Sequence, residues 1–259
     1  HVHTYISGSS DRFELERMHG MTVKCTKYIK AYRAHVVRAV VSDTEKAQVQ
    51  AALGDNEVLI TCDWAQKILP QASIEPQSGY FAKAGMSAHI THIYAKIDGK
   101  YFHHSIIHVF ESCKQLNSDV SCIIRHVFGI LKTKGITKII LRSDNANCYK
   151  SSDLIGDLFH ISSESPELTR YIYSEAQAGK GPCDRGASHV KRKIKEFTES
   201  RRNAKDATEV FAALTKNEPV KGTTTYLCEV GAGKDKGSKS QIPDISTLYD
   251  VKFEVSSLM

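Results

Sequence analysis

The stretch YIYSEAQAGKGPCDRGASHVKRKIKEFTESRRNAK, residues 171–205, decides how the rest of the chain is read. Its β-favouring start, residues 171–174, passes through the glycine turn Gly179-Lys180-Gly181 into a helix whose first turn holds Pro182, Cys183 and Asp184. Proline loses no hydrogen bond in a first turn, and an acid there meets the positive end of the helix dipole. Ala187, Val190, Ile194 and Phe197 recur at helical spacing and predict a buried stripe. On the adjacent face Asp184 is followed by Ser188, Lys191 and Lys195. Between residues 180 and 205 nine lysines and arginines stand against Asp184, Glu196 and Glu199, a surplus equal to the formal +6 of the whole chain. Charge concentrated in this way marks either a solvated amphipathic face or a contact with a polyanion.

At 259 residues, 41% hydrophobic and 25% charged, the chain can bury a substantial core. No stretch approaches the roughly 18 apolar residues of a membrane helix, so no membrane partner is expected. The chain opens without a basic-then-apolar leader pattern. It starts at His1 and stops just after a strand-like run, which reads as a fragment of a longer protein. Seven scattered cysteines without a close pair argue against a disulfide scaffold or a compact zinc module, and predict reduced thiols in a nuclear or cytoplasmic protein. A pI near 8.8 with clustered basic residues suits a polyanionic partner.

Outward from the opening stretch, residues 1–24 lack a period and read as an irregular lead-in. Residues 26–41 predict a basic helix, and the capping-box spacing Ser42-Asp43-Thr44-Glu45 predicts a second helix to Leu53, stopped by Gly54. EVLITCD, residues 57–63, is an apolar strand ending on a carboxylate. Residues 89–95 and 101–110 are strand-like and joined by Asp98-Gly99, a tight-hairpin dipeptide. A helix follows from Asn117 or Ser118, with Val120, Ile124, Val127 and Leu131 on its apolar face and Gly135 as its stop. Residues 136–141 form another buried strand, and it too runs into an acid, Asp144. A helix at 153–159, a strand at 170–174 and the helix at 182–200 complete the order βββαβαβα. Beyond it, residues 207–214 predict a helix, and 223–230 with 248–255 a terminal hairpin around the loop GAGKDKGSK. That loop lacks the spacing and the strand-to-helix setting of a phosphate-binding loop. The implied division is a helical N-terminal segment 1–55, a core 56–205 and a C-terminal extension 206–259.

The order βββαβαβα is that of the ribonuclease H-like fold. The expected fold class is therefore α/β with a mixed five-stranded sheet, a helical N-terminal layer and a small C-terminal β addition. In that fold the first strand lies beside the fourth, making Asp63 and Asp144 neighbours across 81 residues of sequence, with Asp184 closing the group from its helix. Carboxylates crowded together raise one another's pKa values unless cations pair them. Hard oxygen donors select Mg²⁺ or Mn²⁺, and two such ions about 3.5–4 Å apart serve in-line displacement at phosphorus. Taken singly, each aspartate also fits a turn or a helix cap.

Five segments carry a family resemblance: CDWAQKILP (62–70), SGYFAKAGMSAHI (78–90), RSDNANCYKSS (142–152), EAQAGKGPCDRGASHVK (175–191) and IPDISTLYDVKFE (242–254). On these the chain resembles the integrase and cut-and-paste transposase branch of the ribonuclease H-like superfamily, and within it transposon-derived animal proteins with DWA, SDNxxCYKS and GKGxCD motifs. The resemblance implies a triad of Asp63, Asp144 and Asp184 holding two Mg²⁺ or Mn²⁺ ions, Asp63 bridging both. It implies metal-dependent cleavage or strand transfer of nucleic-acid phosphodiesters, DNA ahead of RNA, with a water or a 3′-hydroxyl as nucleophile. Relatives of this kind work as multimers, which implies a homo-oligomer. The third acid is Asp where integrases and many transposases have Glu; Glu175, ending the preceding strand, is either a further or substitute ligand or an exposed strand-end acid. Two other readings stay open: an inactive domesticated domain that binds nucleic acid or a protein, and an RNA-directed nuclease or exonuclease on the same fold.

Lys180, Arg185, Lys191, Arg192 and Lys195 are the expected phosphate contacts. Asn145 and Asn147 either orient substrate or shape the turn after Asp144. Strand alternation turns Trp64 away from Asp63 and into the core. His103, His104 and His108 divide over both faces of one strand without a nearby cysteine pair, and are expected to be ordinary satisfied or exposed histidines. Cys183 has the helix-start setting that favours a thiolate, without being needed as a nucleophile.

Overall fold

The computed structural model describes residues 12–75, 77, 81, 83–162, 166–175, 181–216, 219–230 and 242–253. The chain divides into two compact units, His1–Ala47 and Gln48–Met259. In the first, the described residues all belong to one helix, α1 (Arg12–Ala52), whose last turn lies in the second. The two helices and irregular lead-in expected from the sequence are therefore a single helix as far as they are described. Residues 26–52 contain neither Pro nor Gly, so nothing interrupts the helical hydrogen bonds. The Ser42-to-Glu45 spacing sits inside the helix, where Thr44 Oγ1 donates to the Val40 carbonyl at 2.9 Å instead of capping a new start.

The second unit contains, in chain order, β1 (Glu57–Trp64), β2 (Ser87–Ile97), β3 (Lys100–Phe110), α2 (Asn117–Thr133), β4 (Lys138–Ser143), α3 (Ser152–Ser162), β5 (Glu167–Tyr173), α4 (Pro182–Glu199), α5 (Ala207–Thr215), β6 (Thr223–Cys228), a 3-10 turn (Ile245–Thr247) and β7 (Asp250–Lys252). The sheet is mixed and has seven strands in the order β6-β3-β2-β1-β4-β5-β7, not five. β2 lies between β1 and β3 and runs antiparallel to both, while β4 joins β1, and β5 joins β4, in parallel. The β2–β3 turn uses positive φ at Asp98 (50°) and Gly99 (72°), the twist that a two-residue hairpin needs. Gly135 (φ 77°) follows the end of α2 as expected.

The expected terminal hairpin does not form. β6 pairs in parallel with β3 at one edge of the sheet, and β7 pairs antiparallel with β5 at the other. Each finds an open edge instead of its sequence neighbour. TTTYLC is β-branched and aromatic enough to add along β3, and β7 is fastened by a two-pronged ion pair from Arg170 to Asp250, both contacts 2.8 Å. The GAGKDKGSK loop lies outside the described residues.

Alternation on the strands supplies both faces of the sheet with core. On one face Val58, Ile60, Ile139 and Leu141 pack under Val120, Ile124 and Phe128 of α2 and Leu154 and Leu158 of α3. On the other, Ala88, Ile90 and Val109 pack under Val190 and Ile194 of α4 and Val210 and Leu214 of α5. Val49 and Leu53, from the last turn of α1 and the residue after it, cover Leu59 and Ile172. No helix among the described residues is long and apolar enough to cross a membrane.

Candidate active site

Register brings Asp63 and Asp144 together. In the parallel β1–β4 pair, Glu57 lies opposite Lys138 and Thr61 opposite Arg142. Carried two residues on, the same register sets Asp63 opposite Asp144 at the C-terminal ends of strands about 4.8 Å apart. Val58, Ile60 and Cys62 occupy the α2–α3 face, so alternation sends Leu59, Thr61 and Asp63 to the face that α4 covers. Trp64 takes the first face, where its ring meets His89 edge-on at 4.9 Å.

Asp184 arrives on the first turn of α4. The neighbouring Cys183 is buried, and its thiol donates to the carbonyls of Thr61 (3.2 Å) and Ile90 (3.5 Å), fastening the helix start to β1 and β2. The helix-start setting that favours a thiolate thus holds a buried thiol that donates to backbone carbonyls. Gly186 permits the close approach, since a Cβ there would lie 3.1 Å from Ile90 Cγ2. Asp63, Gln66, Asp184, Ser188 and Lys191 line the resulting cleft of about 290 Å³. Lys191 Nζ donates to Gln66 Oε1 at 3.0 Å.

The acids feel one another. Asp63 is pushed up to about 7, first by burial and then by the charges of Asp144 and Asp184, against a lowering hydrogen bond from the Trp64 amide. Burial also raises Asp144, opposed by the Ala146 amide that donates to its Oδ1 at 2.9 Å. The negative field reaches Cys148, whose thiol is pushed up to about 11 by burial and then by Asp144.

The turn carrying Asp144 is held from behind. Tyr149 is fully buried, and its carbonyl accepts from the hydroxyls of Tyr171 (3.2 Å) and Tyr173 (3.4 Å) on β5. Asn145 donates to the Ser174 carbonyl (2.9 Å) and accepts from Lys150 (3.1 Å), which is the turn-shaping role, whereas Asn147 is exposed. Glu175 is buried, not the exposed strand-end acid that was one of its two readings. Burial lowers Lys150 from its ordinary value and the charge of Glu175 opposes this; the ammonium lies 4.9 Å from the Tyr173 ring centre and 4.6 Å from that of Tyr249.

Among the described residues no three His, Cys, Asp or Glu side chains stand ready as a metal-binding group. The hydrogen bonds give the reason. Asp184 Oδ2 accepts from the Gly181 amide at 2.7 Å, capping its own helix, and Asp144 bonds its own turn. The donor chemistry fits a hard divalent cation, because the charges of Asp144 and Asp184 both act on the partly buried Asp63 and, among the described residues, no lysine or arginine forms an ion pair with Asp63 or Asp144. Asp184 has to turn from its cap to join them.

The expected phosphate contacts do not form one surface. Lys191 borders the acidic cleft, whereas Arg185 and Arg192 line a separate groove of about 460 Å³ with Lys193, Lys221, His92 and His103. Lys195 is exposed and 3.7 Å from Glu199, and Lys180 lies outside the described residues. The groove's partners come from β2, β3 and the approach to β6, so no local sequence pattern marks them. His103 bonds His92 (3.2 Å), His104 bonds Thr224 (2.9 Å) and His108 bonds His126 (2.9 Å), so each histidine weighed from the sequence has a partner.

No curated protein matches the chain. A family match covers residues 45–240, a span that holds all three aspartates and the groove. By that match, over most of its length, the chain belongs to the family described as Domain of unknown function (DUF8701).

Proposed function

We propose that this chain is a divalent-cation-dependent nuclease or polynucleotidyl transferase on a ribonuclease H-like core, of the integrase and cut-and-paste transposase type. One observation carries the reading: Asp63, Asp144 and Asp184, from β1, the end of β4 and α4, act on one place although 81 and then 40 residues separate them. The inner strand order β3-β2-β1-β4-β5, with the first three antiparallel and the last two added in parallel, supports the fold part of the reading. The DWA, SDNANCYKS and GKGPCD motifs support the family part.

Asp63, Asp144 and Asp184 are the residues that would hold Mg²⁺ or Mn²⁺, and the cation supplies Lewis acidity at a phosphodiester. The protein's own side chains do the rest. The carboxylates would hold the cation, the Tyr149–Tyr171–Tyr173 bonds keep Asp144 from drifting, and Lys191 offers a positive charge to a phosphate beside the cleft. Arg185, Arg192, Lys193 and Lys221 hold a second length of backbone in the neighbouring groove. A binding-only domain is the second reading, favoured by the caps that Asp144 and Asp184 already make.

Labelled single- and double-stranded DNA and RNA, incubated with Mg²⁺ or Mn²⁺, separate the two readings. The proposal expects cleavage that falls about 100-fold or more in Asp63→Ala and in Asp144→Ala, since cation contacts contribute several kcal/mol to such transition states. Binding without cleavage, equal in all three proteins, assigns the domain to the second reading.

A further inference from the structure

The first compact unit holds a feature that the cleft chemistry leaves unused. Among its described residues α1 is the whole unit, yet Tyr28, Ile29, Tyr32 and Val40 are each at least 60% exposed. An exposed apolar stripe of this extent on a helix marks a surface that meets something.

The spacing says what it meets. Thr22, Ile29, Val36 and Asp43 recur every seven residues, and Met18, Cys25, Tyr32 and Ala39 form a second set at the same period, each four residues before one of them. These are the a and d positions of a heptad over residues 18–43, longer than three repeats. The a positions Thr22, Ile29 and Val36 are β-branched, which is the a-position half of the pattern for two parallel strands, while Met18, Cys25, Tyr32 and Ala39 stand at d in place of leucine. Most of the charge keeps to the same frame: Arg17, Lys24 and Arg38 fall at c, Lys30 at b and Lys27 at f, outside the seam, and Asp43 is the charged side chain at its C-terminal end. In a parallel pair, Tyr28 at g comes opposite Arg33 at e of the other helix, a cation–π match and not a clash of like charges. Tyr28 and Tyr32 alone offer roughly 300–500 Å² of burial per helix, a large part of what a stable interface needs.

We propose that α1 pairs in parallel and in register with α1 of a second copy of this chain, as a two-stranded coiled coil over residues 18–43. The pairing does not depend on the nuclease reading, and its test reads mass and cross-linking instead of cleavage.

The purified full chain should sediment at twice its 28.8 kDa under reducing conditions. Ile29→Lys with Val36→Lys should convert it to monomer, whereas Val41→Lys, at an outer f position, should leave the dimer intact. Cys25 and Cys122 are exposed thiols, so mild oxidation is done in a Cys122→Ser background. Parallel, in-register helices bring the two Cys25 thiols face to face at d, and a cross-linked dimer that disappears in Cys25→Ser is expected. A wild-type monomer, a dimer indifferent to the seam pair, or a dimer whose Cys25 does not cross-link overturns the proposal. Cross-linking of the wild-type seam needs no destabilising variant, and circular dichroism of the lysine variants shows whether α1 has unfolded.

Discussion

Two regions of the second unit bury titratable side chains, and they handle them in opposite ways. At the C-terminal ends of β1 and β4, Asp63 and Asp144 are crowded with each other and with Asp184, and Asp63 is driven up to about 7. Inside β2 and β3, the buried pair His89 and His108 is pushed the other way: burial takes His89 well below the ordinary histidine value and His108 down to about 4. Neutrality spares the core two buried charges, and His108 bonds His126 while its ring stacks on Tyr226, although His89 Nε2 and His108 Nδ1 are buried without a hydrogen-bond partner among the described residues. The acids are only partly relieved, by backbone amides at Trp64, Ala146 and Gly181. A strained set of like charges that the fold keeps is the mark of a place built for something else, which on the proposed reading is a cation.

The contrast predicts opposite responses to pH. A histidine held at about 4 against an ordinary 6.5 contributes stability fully present above 6.5 and lost as pH falls through about 4. For His108 that amounts to about 3 kcal/mol. His108→Phe should remove most of this acid loss in denaturant melts between pH 7 and pH 4, although it leaves His126 without its partner. An acid raised from 3.8 to about 7 behaves the other way: its stabilising share is present below 3.8 and disappears as pH rises through about 7. Asp63→Asn should therefore stabilise the cation-free protein at pH 8, by on the order of 1–3 kcal/mol, by roughly a third of that at pH 5, and hardly at all below about pH 4. If instead the substitution destabilises at pH 8, the acids are paired in a way that the comparison denies.

The seat of α4 gives a smaller test. Gly186→Ala gains up to about 1 kcal/mol of helix propensity but sets a methyl 3.1 Å from Ile90 Cγ2, so the two effects nearly cancel in stability. What should suffer is the distance from Asp184 to Asp63, read as weaker Mn²⁺ binding at an unchanged melting temperature. The smallest expected effect is in the groove. Arg185→Ala or Lys221→Ala should each lower the salt dependence of DNA binding by about one unit of log–log slope, without altering cation binding.

Much of this was legible because it is local. Asp98-Gly99, Gly135 and Pro182 mark their turns, stops and starts by backbone chemistry alone, and the apolar runs before Asp63 and Asp144 show strands ending on acids. What escaped the sequence was pairing at a distance. TTTYLC and DVK could not be sent to opposite edges without knowing that β3 and β5 had edges open. The long α1 was divided in two because S-x-x-E has the spacing of a cap and also of an ordinary helical turn. Glu175 resembled a loose acid because Lys150, its counter-charge, stands 25 residues earlier. The groove beside Arg185 draws on four segments, and only the fold assembles them.

The account turns on whether the acids at the ends of β1 and β4 hold a cation. Titration of the purified chain with Mn²⁺ at pH 8, followed by calorimetry and by the loss of free-Mn²⁺ paramagnetic resonance, reads this without requiring any substrate. Saturable binding that vanishes in Asp63→Asn and in Asp144→Asn, and that weakens at pH 6 as Asp63 takes up its proton, is the predicted result. Absence of binding, or binding untouched by both substitutions, would contradict it and leave the crowded aspartates as caps and turns.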